Sequence, residues 1–311
     1  MWKYILKRVG YAILTLFVLV TITFFLMQLL PGDPFTGEKV ISDEIMANLE
    51  AKYGLDKPLW QQYFLYIGNA LRGDLGISLS DNREVTAKLM TTFPISFDLG
   101  IRALCLAFVV GVSLGTIAAI NRGKAWDTTA TIIALLGVSV PSFIIASLLQ
   151  YFLGVVLFQK TGINFFPITG WTSFRHTILP TIAMSFGSIA TISRLMRSSM
   201  LDVLASDYIK TAKAKGLPQY KIIWKHAVRN AIMPVITVLG PITAGLLTGG
   251  FVVESIFSIP GMGKTFVTSI QSIDYTMIAG TTMFYGGFLI IANLVVDLVY
   301  GLIDPRVKLE G

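Results

Sequence analysis

The sequence predicts an all-α membrane protein with six spans and a small extracytoplasmic cap. Three observations carry this expectation. The 311 residues are 54% hydrophobic and only 14% charged, with a mean hydropathy of +0.69. The apolar residues gather into runs near the roughly 20 needed for a helix to cross a bilayer. Lysine and arginine concentrate in alternate loops between those runs.

A segment inside a bilayer must pair its own backbone polar groups, so each run reads as a helix. The first span is expected from Val9 to Leu30 and the second from Ser96 to Ile120. The third runs from Thr128 to Phe152 with Pro141 inside it, and the fourth from Thr177 to Met200 with Pro180 near its start. The fifth runs from Ile232 to Val252 with Pro234 and Pro241, and the sixth from Ile278 to Ile303. Lys3, Lys7 and Arg8 precede the first span, as in a secretory signal. That run is too long for a signal core, and "LLPGDPF" offers no small-residue cleavage site, so it reads as a retained anchor.

Orientation follows from basic residues near span ends. One set of loops holds Lys3, Lys7 and Arg8, then Arg122 and Lys124, then Arg194 and Arg197 with the stretch after them, then Arg306 and Lys308. The alternate short loops hold only Lys160 and Arg175, and Lys264. Both termini are therefore expected in the cytoplasm. The organisation this predicts is an anchor over 1–30, an extracytoplasmic cap over 31–95, a five-helix core over 96–303 that includes the cytoplasmic loop 201–231, and a tail over 304–311. Within the cap, "SDEIMANLEAKYG" reads as a helix stopped by Gly54, and "PLWQQYFLYIGNALRG" as an aromatic amphipathic helix opened by Pro58.

Residues 208–230, "YIKTAKAKGLPQYKIIWKHAVRN", are exceptional in so apolar a chain. At 100° per residue, Tyr208, Ile209, Ala212 and Gly216 share one arc, flanked by Lys213 and Lys215, while Lys210 points away. Gly216 suits the left-handed residue that ends a helix, and Pro218 follows where continuation should stop. A second helix then starts near Pro218, with Lys221, Lys225 and Arg229 as a basic stripe suited to anionic headgroups or an acidic protein. Positive-inside bias accounts for the charge. It does not account for a small-residue face followed by a stop and a restart, which is the shape of a helix that fits a partner's groove.

"KTAKAKG" followed by "RNAIMPVI" resembles the EAA loop of permeases of the ATP-binding-cassette importers. "FFLMQLLPGDPF", "YGLDKPLWQQY", "SVPSF", "VESIFSIPGMG" and "GLIDPR" resemble, in the same order, the B-type permease subunit of oligopeptide importers. Lys210 stands where the general pattern has an acidic residue, and the interval from Gly216 to Pro234 is longer than in that pattern. Both features resemble the peptide and nickel branch of the family. The resemblance implies the type I importer architecture, a heterodimer with a homologous second permease, two cytoplasmic ATPase subunits, and an extracytoplasmic peptide-binding protein. It implies peptide as cargo, with dipeptides, nickel or a metallophore as alternatives, and a bacterial cytoplasmic membrane as location. It further implies that Asp207, Tyr208, Ile209, Thr211, Ala212, Lys213, Lys215, Gly216 and Leu217 couple to the ATPase. ATP and magnesium would be held by those partners, with no cofactor on this chain.

Other motifs point nowhere catalytic. "GVSLG" matches a nucleophile elbow, but it lies mid-span without a strand or a histidine partner. Gly111 and Gly115 are better read as a small-xxx-small helix contact. "SIPGMGKT" ends like a phosphate loop, yet Ser258 replaces its first glycine and no strand precedes it. Two histidines and the lone Cys105 form no metal-ligand spacing, and nothing reads nucleic acid. Asp297 is the one acidic residue deep in a predicted span, and Arg102 sits near an outer end where it can snorkel. A gradient-driven transporter would need paired intramembrane charges or repeated broken helices, and neither is visible. Spans four and five, rich in Ser, Thr, Gly and Pro, are the candidates for lining a path.

Overall fold

The computed structural model describes residues 2–29, 57–78, 80–247 and 250–303. The helix expected over 42–54 and the tail over 304–311 lie outside these residues. Among them the regular elements are helices, apart from one bridge that pairs Ile77 with Glu84. Six helices are long and apolar enough to cross a membrane. The chain divides into two compact units, residues 1–96 with 260–311, and residues 97–259.

In the first unit, α1 (Trp2–Leu29) runs along the last helix, here α12 (Tyr275–Ile303). Gly286 and Gly287 of α12 face Leu19 and Leu16 of α1, where a methyl at Gly286 would collide with Leu19. Helix α2 (Leu59–Leu71) opens at Pro58 as its sequence predicts, because proline lacks the N–H that a first turn leaves unused. Its aromatic face leans on α1: Tyr63 Oη lies 2.7 Å from Thr21 Oγ1, and Phe24 packs at 5.4 Å from both the Tyr63 and Tyr66 rings. Helix α3 (Val85–Ile120) begins ahead of the predicted Ser96, so residues assigned to the cap are the first turns of span two. Its Val85 and Leu89 form a small core with Met262 of α11 (Met262–Gln271) and Met277 of α12.

Asp274 organises the turn that leads into α12. Its Oδ1 accepts the Met277 N–H at 3.0 Å, an N-cap for α12. Its Oδ2 accepts from the Ser78 hydroxyl at 2.5 Å, the Ser80 hydroxyl at 2.9 Å and the Ser80 N–H at 3.2 Å. The carboxylate is buried, and these donors replace the water it has left.

In the second unit the predicted third span is broken. Helix α4 (Ala125–Ser139) stops at Val140, whose backbone is extended at φ −95° and ψ 122°. Proline disfavours helical geometry in the residue before it, so Pro141 starts a new helix, α5 (Ser142–Thr161), instead of continuing the old one. The span-length segment is therefore α5, and α4 is a shorter apolar helix ahead of it. A π turn over Gln150–Val156 lies within α5. Gln150 Nε2 there donates to the carbonyls of Ile168 at 2.9 Å and of Ile256, the last residue of α10 (Phe251–Ile256), at 3.1 Å.

Helix α6 (Phe174–Ala205) is the hub, packed by α4, α5 and α9 (Met233–Leu247). Residues 97–120 of α3 also close tightly on it. A methyl at Gly111 would lie 2.7 Å from Ile192, and one at Gly115 would lie 2.5 Å from the Ser193 carbonyl. Small residues do the same along α4, where a methyl at Gly137 would meet Ala190 at 2.6 Å. Arg102 pairs with Asp98 one turn earlier at 2.9 Å and lies over the Phe174 ring at 5.8 Å. The side chain of Asp297 lies outside the described residues.

Candidate coupling site

The basic stretch forms an elbow between α6 and α9. Ser206 is extended, at φ −69° and ψ 154°, and serves both as the end of α6 and as the start of α7 (Asp207–Ala214). Its carbonyl accepts the N–H groups of Ile209 and Lys210, and its hydroxyl folds back onto the Val203 carbonyl. Asp207 in the first turn and Lys213 in the last both complement the helix dipole. Asp207 also pairs with Lys210 at 2.8 Å, but both side chains are so exposed that the pair contributes little.

Gly216 ends α7 with φ +73°, as its place in the sequence predicts. The Leu217 N–H reaches the Ala212 carbonyl at 3.2 Å and the Gly216 N–H reaches Lys213 at 2.9 Å, the paired bonds of a Schellman cap. The chain then turns at Pro218 into α8, residues 219–231, most of which is a π turn over Ile222–Val228. Wider winding separates the buried positions by five residues, Ile222 then Ala227, before Ala231 resumes the ordinary spacing. Lys221, Lys225 and Arg229 stay exposed, with Trp224 and Tyr220 beside them.

The face α7 presents differs from the one its sequence predicts. Ile209 is fully buried and Ala212 nearly so, in one cluster with Ile222, Ala227, Met200 and Ile192 of this same chain. The small apolar arc thus holds the elbow together, and Ala212 offers nothing to a partner. The surface facing away carries Asp207, Lys210, Thr211 and Ala214, with Tyr208, Lys213, Lys215 and Gly216 at its margins, all exposed. Ala214 supplies the small residue at its centre. Tyr208 Oη accepts from Asn230 Nδ2 at 2.9 Å, which ties α7 to α8. Leu217 packs half-buried against the internal cluster.

Two profiles of one transport family match the chain. That of the binding-protein-dependent transport system inner membrane component covers residues 111–309, and its N-terminal companion covers residues 1–100. The chain belongs to this family. The dipeptide transport system permease protein DppB of Bacillus subtilis (strain 168) is 48% identical over 100% of this chain and 99% of its own. The oligopeptide transport system permease protein OppB of Escherichia coli (strain K12) is 42% identical over 99% and 100%. Among solved structures, an inward-facing form of the MetNI methionine ABC transporter superposes with a TM-score of 0.53 at 16% identity, covering 69% of this chain and 94% of the other. An amino acid ABC transporter crystallised with histidines gives 0.51 at 16% identity, covering 71% and 94%. These two likenesses establish the type I importer fold.

In this transport-system membrane component, two features escaped the sequence reading. Asp127, at the start of α4, is gripped by Arg197 of α6, with Nε–Oδ1 at 2.6 Å and Nη2–Oδ2 at 2.8 Å. Asn230 joins the two helices of the elbow. The polar composition already noted in spans four and five resolves here into outward faces. Thr191, Arg194 and Ser198 of α6 are exposed at helical spacing, whereas the outward residues of α4 and α5 include Ile132, Leu135, Phe143 and Leu148. Pro234, Thr237, Pro241 and Gly245 form a similarly ungreasy face on α9.

Proposed function

We propose that the chain is the membrane-spanning permease subunit of an ATP-driven importer that carries short peptides inward across a bacterial cytoplasmic membrane. The carrying observation is full-length likeness, at 48% identity to a dipeptide permease and 42% to an oligopeptide permease. It works beside a homologous second permease, two cytoplasmic ATPase subunits and an extracytoplasmic peptide-binding protein. The outward face of α7, centred on Thr211 and Ala214, docks on an ATPase, and the Schellman cap holds that face at a fixed angle. Closure of the ATPase pair on ATP moves the elbow and switches the permease from inward-open to outward-open. ATP drives this only because the closed ATPase pair fits one permease state better than the other. The polar faces of α6 and α9 line the peptide's path, since such residues facing lipid carry a free-energy cost that water removes.

The test is reconstitution of all five components in vesicles, with labelled di- and tetrapeptides on the binding-protein side. Uptake that needs both ATP and the binding protein is expected. Ala214→Arg should lower uptake and ATPase retention by at least about tenfold, as a bulky cation at the centre of an interface does. Gradient-driven uptake by the permease without ATPases would overturn the reading.

A further inference from the structure

The pair of Asp127 and Arg197 is built for register more than for adhesion. Helix α4 already adheres to α6 through a seam of small residues, with Ala130, Ala134 and Gly137 buried on one side. Such a seam fixes how closely the helices approach but carries no directional bond. An ion pair with one buried and one part-exposed partner contributes little net stability compared with apolar packing, so adhesion gives no reason for one here. What it adds is direction. The planar guanidinium meets both carboxylate oxygens at once, at 2.6 and 2.8 Å, which fixes distance and angle together. The carboxylate's Oδ2 also accepts the Gly123 N–H at 3.0 Å, in a turn that Gly123 makes with φ +75°. The Asp127 side chain is only 9% exposed, while Arg197 keeps 32% of its exposure, so the carboxylate is the anchored end of the pair.

Three parts therefore meet at one carboxylate: the turn 121–124 that ends α3, the start of α4, and the segment of α6 that leads to Ser206 and α7. Gly115 of α3 closes on the same stretch, a methyl there lying 3.0 Å from the Arg197 N atom. A displacement of α7 that reaches α6 is passed to α3 and α4 only if these parts move as one body.

We propose that Asp127 and Arg197 are positioning residues for energy coupling, a strut through which movement of α7 reaches the helices that open the path. This rests on the importer reading given above. Without the strut, α6 still moves with the ATPase while α3 and α4 lag, so ATP is hydrolysed without delivering peptide.

The test uses the complete reconstituted importer and measures peptide uptake and ATP hydrolysis in the same vesicles. Asp127→Asn and Arg197→Lys should raise the ATP consumed per peptide by about tenfold, within the range of measured coupling energies. ATPase activity per assembled complex should change much less. The double exchange of Asp127→Arg with Arg197→Asp should bring the ratio back towards wild type. An unchanged ratio in both single variants overturns the proposal. So does a fall in uptake and hydrolysis in equal proportion among assembled complexes, because that is loss of working protein and not loss of coupling. If a single variant fails to assemble, the double exchange decides: a raised ratio with assembly restored also overturns it. Failure of the wild-type complex to import would instead strike the importer reading.

Discussion

Gly115→Ala is the sharpest probe of the fold, because one methyl tests the seam between α3 and α6. The new carbon would lie 2.5 Å from the Ser193 carbonyl oxygen, 2.7 Å from Met196 Cβ and 3.0 Å from the Arg197 nitrogen. An ordinary C–H···O approach is about 3.3 Å or more, so α6 must retreat by about 0.8 Å. Two of the three obstacles are backbone atoms of a buried helix and have no rotamer to escape into. Overpacking of this kind costs about 1–3 kcal/mol. Against it stands the gain of up to about 1 kcal/mol from replacing glycine by alanine in a helix. With the full gain subtracted, the expected net is a destabilisation of up to about 2 kcal/mol. SDS titration in mixed micelles reads it as an earlier midpoint. Gly68→Ala in α2 is the control, since a methyl there meets nothing within 4 Å. It should be neutral or stabilising. Equal behaviour of the two variants would refute the close-packing argument.

Gly216→Ala should destabilise the elbow by about 1 kcal/mol and Gly216→Asn by less, because only the left-handed backbone is at issue and the space around the residue is open. Hydrogen exchange at the Leu217 N–H checks this. Asp274→Ala removes a helix cap and three further accepted bonds, and should cost about 2–3 kcal/mol, seen as faster exchange over residues 76–85. Hydrogen bonds from Arg197, and then from the Gly123 N–H, hold the Asp127 carboxyl down at about 2, below the ordinary 3.8. A lowered carboxylate value stabilises the folded state fully above the ordinary value and loses that share as pH falls through the lowered one. The stability gap between wild type and Asp127→Asn should therefore stay constant above pH 3.8 and narrow towards pH 2.

Local chemistry was readable from the chain, and long-range chemistry was not. Pro58 announced α2 and Gly216 announced the end of α7, because each acts within a few residues of itself. Pro141 was visible inside span three, but whether it kinks or breaks a helix depends on Val140, which here is extended. The face of α7 was misread for a different reason. Helical angles identify an apolar arc but not its occupant, and Ile222 and Ala227 of the returning chain fill it. The Asp127–Arg197 bond joins residues 70 positions apart, beyond any periodicity. Arg197 had been seen only as a marker of orientation.

The break at Pro141 denies the Gly137 carbonyl its usual donor, because the proline four residues on has no N–H. Here the Gly137 oxygen faces Gly187, at 3.4 Å from where a side chain would begin on that residue. The two helices approach closely enough there that a first side-chain carbon would already be in van der Waals contact with a backbone oxygen. The bend therefore falls on the side of α4 that is packed against α6, so the carbonyl it releases lies inside the protein.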